Sequence, residues 1–212
     1  MSTTRQTDNV GSTPTSVGWG IADPGPLGLA GFAMTTFFLS VVNTNMVGAS
    51  VTTVVLGLAL FYGGLAQLLA GMWEFVKGNT FGAVAFVSFG AFWMSFWYLL
   101  NHVPDKASAV DLHHGIGLYL LGWAIFTAYM TIAATRVSGA VLAVFVFLTL
   151  TFIALAIGEF AHNAASTSPV PDGWTKLGGW LGLVTAAFAW YASLAGVMNA
   201  TAKRIVFPTF PR

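Results

Sequence analysis

The chain has 212 residues, 56% of them hydrophobic and only 7% charged, with a formal net charge of +1. Soluble domains carry about a quarter charged residues, so this composition belongs to a polytopic membrane protein. The small net charge gives no electrostatic case for nucleic acid. The absence of cysteine excludes disulfides, thiolate catalysis and cysteine-ligated metals. Residues 1–20 are rich in Ser, Thr and Gly, lack the apolar core of a cleavable signal peptide, and are expected to form a mobile tail.

The few charged residues mark the boundaries of the spans. The first span is expected over 26–42, behind the run Asp23-Pro24-Gly25-Pro26-Leu27-Gly28-Leu29-Ala30-Gly31-Phe32. Its prolines fix φ and lack a donor, which suits the first turn of a helix and not its middle. Gly28 and Gly31 let another group approach the helix backbone, as at a packing face or at the mouth of a pathway. Asn43-Thr44-Asn45 breaks the apolar run, and a second span is expected over 50–73, followed by a turn from Glu74 to Asn79. The third span is expected over 80–100 and a polar loop from Asn101 to His114. The fourth covers 115–134, with a tight turn at Arg136, Ser138 and Gly139, and the fifth covers 139–158. A second polar loop runs from Glu159 to Lys176, and the sixth span covers 177–199. Each is near the ~20 residues that cross a hydrocarbon core. The expected fold is therefore all-α, six transmembrane helices over 21–200, with tails at 1–20 and 201–212.

Positive charge sets the orientation. One side carries Arg5, Lys77, Arg136, Lys203, Arg204 and Arg212, the other only Lys106 and Lys176, which puts both termini in the cytoplasm. The small-residue pairs Ala66/Ala70 and Gly178/Gly182 have the spacing that lets membrane helices touch, within one subunit or between subunits.

No Asp, Glu, Lys, Arg or His falls in the middle of a span. Proton pumps and voltage sensors place ionisable groups at that depth, and a retinal protein needs a lysine there. No histidine is available in a span to activate Ser88 or Ser95 as a nucleophile or to ligate haem. Asp111, His113 and His114 are read as a solvated loop with no metal role. The expectation is a non-enzyme with no cofactor and no bound metal.

Uncharged polar residues do occur inside the spans: Thr35, Thr36, Ser40, Gln67, Ser88, Ser95, Thr127, Thr131, Thr149, Thr151, Thr185 and Ser193. Most such hydroxyls bond back to their own helix, but the amide of Gln67 needs partners in a dry bundle. With aromatics between them, these groups suit a narrow path in which a small anion meets hydroxyls, amides and helix N-termini rather than a fixed cation. Trp73, Trp174, Trp180 and Tyr191 are expected at the membrane interfaces.

Three blocks carry a family resemblance: Asp23-Pro24-Gly25-Pro26-Leu27-Gly28-Leu29; Phe61-Tyr62-Gly63-Gly64-Leu65-Ala66-Gln67 through Glu74 and Lys77-Gly78-Asn79 to Ser88-Phe89-Gly90-Ala91-Phe92-Trp93; and Leu155-Ala156-Ile157-Gly158 with Asn163-Ala164-Ala165. Together the chain resembles the acetate uptake transporter family, also called the succinate–acetate permease family, over about residues 22–207. The resemblance implies six spans per subunit, a homo-hexamer in the lipid bilayer, and permeation of acetate and related short carboxylates, in some members with protons. It further implies a hydrophobic constriction at Phe32, Phe89 and Leu148, with Ala189 influencing substrate size. Asp23, Pro24, Pro26, Leu27 and Gly28 would form the entrance, and Thr36 and Gln67 polar points along the path. Two positions depart from the family pattern: Asp23 stands where the family has asparagine, and Phe89 where it has tyrosine. The competing readings are a channel for a neutral solute such as urea or ammonia, and a non-transporting sensor or scaffold.

Overall fold

The computed structural model describes residues 20–103, 108–162 and 172–212. The N-terminal tail, Lys106 and the Asn163-Ala164-Ala165 block lie outside the described residues. The elements are α1 (Gly25–Asn43), α2 (Thr52–Leu60), a π-helical segment (Phe61–Ala66), α3 (Gln67–Lys77), α4 (Thr80–His102), α5 (Ala109–Ala134), α6 (Gly139–Ala161) and α7 (Gly173–Ala202). A short 3-10 turn (Ala49–Val51) precedes α2, and that turn, α2, the π segment and α3 form one rod, so among the described residues six helices are long and apolar enough to cross a membrane.

Every span but the second starts where the sequence supplies a side-chain partner for its free amides. Asp23 Oδ1 accepts from the Gly25 N–H at 2.9 Å, and Pro26 needs no partner. Asn79 Oδ1 accepts from Gly82 at 3.1 Å, Ser108 from Asp111 at 3.2 Å, Ser138 from Val141 at 3.2 Å, and Asp172 from Thr175 at 2.6 Å. α3 ends at Gly78, whose φ of 80° is left-handed.

The helices are longer than the apolar stretches that announce them. α4 runs to His102 and α5 begins at Ala109, so Asp111, His113 and His114 are helical and not in a loop. Glu74 lies in α3 and not in a turn, Glu159 lies in the last turns of α6, and α7 begins at Gly173. The reason is that charge marks the membrane surface, whereas a capping side chain ends the helix, and the caps sit further out.

α1 packs along α7, α7 on α6, and α6 on α5, while α3 pairs with α4 and the π segment wedges against α1 and α4. At the motif that opens α1, a Cβ on Gly28 would sit 2.7 Å from the Phe86 ring, and one on Gly31 would sit 2.6 Å from the Tyr62 carbonyl oxygen. These glycines are therefore helix–helix contacts. Gly178 and Gly182 likewise face Leu155 and Ser40 inside the subunit. α4 and α5 meet through side chains: the Phe92 ring lies 5.8 Å from Tyr119 and 5.2 Å from Trp123, and the hydroxyls of Ser95 and Tyr119 are 2.7 Å apart.

After α7 the chain turns back. Asn199 Oδ1 accepts from the N–H groups of Val206 and Phe207, and the Tyr191 hydroxyl donates to the Pro208 carbonyl at 2.7 Å. The Gly139 N–H then donates to the Phe210 carbonyl at 2.8 Å and the Ala140 N–H to Thr209 at 3.2 Å. Residues 205–212 are thus a strap across the start of α6, and Tyr191 pins it.

Gly31→Ala is expected to lower stability by about 1–3 kcal/mol, since its methyl meets backbone that cannot rotate away. Gly57→Ala has nothing within 4 Å of its new Cβ and is expected to be neutral or stabilising by up to ~1 kcal/mol. Thermal unfolding of the two variants in detergent checks the contrast.

Candidate functional site

Two cavities lie along the bundle. The first, about 140 Å3, is lined on its polar side by Asp23, Gln67, Glu74, Lys77 and Asn79, and on its apolar side by Phe81, Val137, Val141 and Phe145 among others. The second, about 220 Å3, takes its polar lining from Thr36, Ser40, Asn43, Trp93, Tyr119, Thr151, Glu159 and Thr175. The first sits where α1 begins, α3 ends and α6 begins; the second sits at the opposite helix ends. Phe32 and Leu148 line both, and Phe89 lines the first.

These three residues are 3–4% exposed. Phe89 is the hub of the aromatic core: its ring centroid lies 5.6 Å from Phe32, 5.4 Å from Phe126, 6.0 Å from Phe145 and 6.4 Å from Phe152. Tilted and edge contacts of this kind hold ring positions more firmly than area burial alone. A compact apolar partition therefore divides two partly polar chambers.

Most hydroxyls in the bundle are satisfied within their own helix. Thr35 donates to Gly31, Thr127 to Trp123, Thr149 to Phe145, Thr151 to Phe147 and Thr185 to Leu181, each at 2.7–2.9 Å. Three buried atoms have no partner among the described residues: Gln67 Oε1, Thr36 Oγ1 and Trp93 Nε1. Gln67 lines the first cavity, and Thr36 and Trp93 line the second. A buried polar atom left unpaired costs about 1–3 kcal/mol, and here all three belong to residues that line the cavities.

The mouth of the first cavity is a charged cluster. Lys77 Nζ lies 2.7 Å from Asp23 Oδ1 and 3.9 Å from Glu74 Oε2. Asn79 Nδ2 donates to Glu74 Oε2 at 2.8 Å. Asp23 and Lys77 are substantially exposed, but Glu74 is only 1% exposed. The acid that stands for the family's asparagine thus accepts from the first amide of α1 and forms an ion pair, which offsets its charge. The burial of Glu74 is what reading it as a turn residue missed. The available signal was its spacing of seven from Gln67, two turns along one face.

Asp23, Thr36 and Gln67 line the cavities, whereas Pro24, Pro26, Leu27, Gly28 and Ala189 line neither. Pro24 is the N-cap residue of α1. The Pro26 carbonyl accepts from the Ser193 hydroxyl at 2.7 Å, which ties α1 to α7. Leu27 is exposed on the outer surface, Gly28 holds α1 against Phe86, and Ala189 is fully buried in the apolar core. Their places are in the frame around the chambers.

The fold is that of a multi-pass membrane protein. Residues 6–212 match the GPR1/FUN34/yaaH family, and the chain belongs to it. It is 42% identical over 196 residues to the Ammonia transport outward protein 2 of Saccharomyces cerevisiae, covering 89% of this chain and 66% of that protein. It is 37% identical over 190 residues to the Succinate-acetate/proton symporter SatP of Escherichia coli K12, covering 89% of this chain and 95% of that protein. The structure of the bacterial acetate channel SatP superposes with a TM-score of 0.79 at 36% identity, covering 89% of this chain and 99% of that one. The chain spans about two thirds of the length of its yeast relatives. The family implied by the sequence motifs is thereby established, as are the six-helix all-α fold and the membrane class.

Glu74→Ala strips Asn79 of its acceptor and leaves a void, and is expected to cost about 1–3 kcal/mol. Asp23→Asn keeps the cap and loses only an exposed pair, so its expected cost is below about 1 kcal/mol. Thermal melts of both variants test this ranking; equal losses would contradict it.

Proposed function

We propose that the chain is a passage for acetate and related short monocarboxylates, and for the dicarboxylate succinate, across a lipid bilayer. The observation that carries this reading is the pair of cavities at opposite ends of one bundle, which share Phe32 and Leu148 as their common wall. A solute the size of acetate fits either chamber and must shed its remaining water at the partition. The unpaired Trp93 N–H and Thr36 hydroxyl are donors suited to a carboxylate in the second chamber, and at the mouth of the first the pairing of Lys77 with Asp23 moderates the negative charge of the two acids. No ionisable side chain lies at the level of the partition, and a bare charge there is costly. Crossing is therefore easiest for the neutral acid, which carries its proton along. Nothing in this arrangement calls for bond chemistry, which favours a transporter over an enzyme.

The yeast relative named for outward ammonia transport favours a second reading, a path for a small neutral solute. Competition separates the two: acetate slows permeation of labelled carboxylate in the first case and leaves ammonia flux untouched in the second.

The test is labelled acetate uptake into liposomes containing the purified chain, with and without an inward proton gradient, after leakage through empty liposomes is subtracted. Uptake above the control that rises with the gradient supports the reading, and absence of uptake in both conditions defeats it. Phe32→Ala and Leu148→Ala, compared per folded protein, are expected to raise uptake about tenfold, the equivalent of a barrier lower by ~1.4 kcal/mol. Unchanged flux and selectivity in both variants would remove the partition from the pathway.

The same reading places the chain in the cell membrane as a homo-hexamer with both termini in the cytoplasm. Its supports are the family resemblance and the six-to-two division of positive charge. The natural chain has no cysteine, so a single cysteine at Lys176 or at Arg204 is a clean reporter. An impermeant thiol reagent on intact cells is expected to label the first and spare the second, and native mass spectrometry counts the subunits.

A further inference from the structure

Three side chains that take no part in the apolar partition converge at the far rim of the second cavity, which Glu159 lines. His113 lies near the start of α5, Glu159 near the end of α6, and His162 directly after α6 as its C-cap residue. His113 Nδ1 is 2.7 Å from Glu159 Oε2. The rings of His113 and His162 stack, with centroids 3.9 Å apart and planes 9° from parallel. His162 Nδ1 lies 3.0 Å from the Gly158 carbonyl, which leaves its Nε2 without a hydrogen bond among the described residues. One ligating atom from each of the three residues lies within 4.8 Å of the other two. All three are of intermediate burial, neither sealed in the core nor free on the surface.

A hydrogen bond accounts for His113 and Glu159, but not for the second imidazole that the end of α6 delivers to the same point. Two imidazole nitrogens and one carboxylate oxygen are the donor set of a zinc site that keeps a fourth position for water. Imidazole donors select zinc, copper and nickel, whereas magnesium and calcium want oxygen alone.

We propose that His113, Glu159 and His162 bind a divalent transition-metal ion, zinc being the representative, at the rim of the second cavity. Tetrahedral ligation at ~2.1 Å places ligand atoms about 3.4 Å apart. At 2.7 Å the His113–Glu159 pair is closer than that, so ligation replaces its hydrogen bond with the ion and opens the pair slightly, while the stacked His162 ring must turn to aim a nitrogen at the same point. The bound ion ties α5 to the end of α6, and because Glu159 lines the cavity, it sets positive charge beside the route of a solute.

The test is isothermal titration of the full-length chain, free of any polyhistidine tag, with zinc chloride in detergent. The expected result is one saturable site per subunit, with no heat from magnesium chloride. His113→Ala and His162→Ala are each expected to weaken binding at least about tenfold, the lower end of what the loss of even an outer partner costs a metal site. Glu159→Gln still accepts a hydrogen bond from His113, so it keeps the local fold while removing the anionic ligand, and it is expected to weaken zinc as well. His102→Ala and His114→Ala are expected to bind as the natural chain does. The proposal is overturned if zinc does not bind, if His162→Ala and Glu159→Gln bind it unchanged, or if His114→Ala weakens it as much as His162→Ala. The readout does not involve transport, so its failure is distinct from failure of the passage reading.

Discussion

The hydrocarbon core offers no hydrogen bonds, so every polar group placed in it must be satisfied by the protein or face a cavity. That constraint organises this structure. Threonines along α1, α5, α6 and α7 return their hydroxyls to carbonyls one turn back, which makes them nearly apolar toward their neighbours. Against that background the unpaired atoms of Gln67, Thr36 and Trp93 stand out, and all three belong to cavity walls. The same accounting explains the charged mouth: Glu74 is buried only where Asn79 donates to it and Lys77 stands nearby.

Between the chambers the protein relies on shape instead of charge. The rings around Phe89 support one another from α1, α4, α5 and α6, so the partition is fixed by several helices at once. A phenylalanine there, rather than a tyrosine, leaves no hydroxyl needing a partner in the driest part of the molecule. In the proposed passage, selectivity rests on which form of a solute can lose its water, not on a fixed countercharge.

The six spans were legible because so few charges interrupt the apolar runs. Helix ends were less so: Glu74, Asp111, His113 and Glu159 looked like loop residues because they are polar, yet each lies within a helix that continues to a capping residue farther out. The meeting of Phe32, Phe89 and Leu148 came from a family pattern and not from periodicity, since three residues on three spans share no local signal. Ala189 and the prolines of the opening motif show the reverse. Their sequence pattern is distinctive, but their places are in the packing frame, because tight contact between helices constrains residue type as strongly as a cavity does. The π segment, and the convergence of His113 with His162, depend on how separate helices stack, which no spacing along the chain encodes.

The strap over 205–212 bears on the order in which the subunit can be completed. The amides of Gly139 and Ala140 at the start of α6 find their acceptors on Phe210 and Thr209, about seventy residues later in the chain. While α6 emerges and inserts, those acceptors have not been synthesised. Val137 and Val141, which wall the first chamber, flank that unfinished turn. However the six helices assemble, the wall at the mouth of the first chamber is therefore among the last parts of the subunit to settle, and it closes only when the final segment folds back onto it.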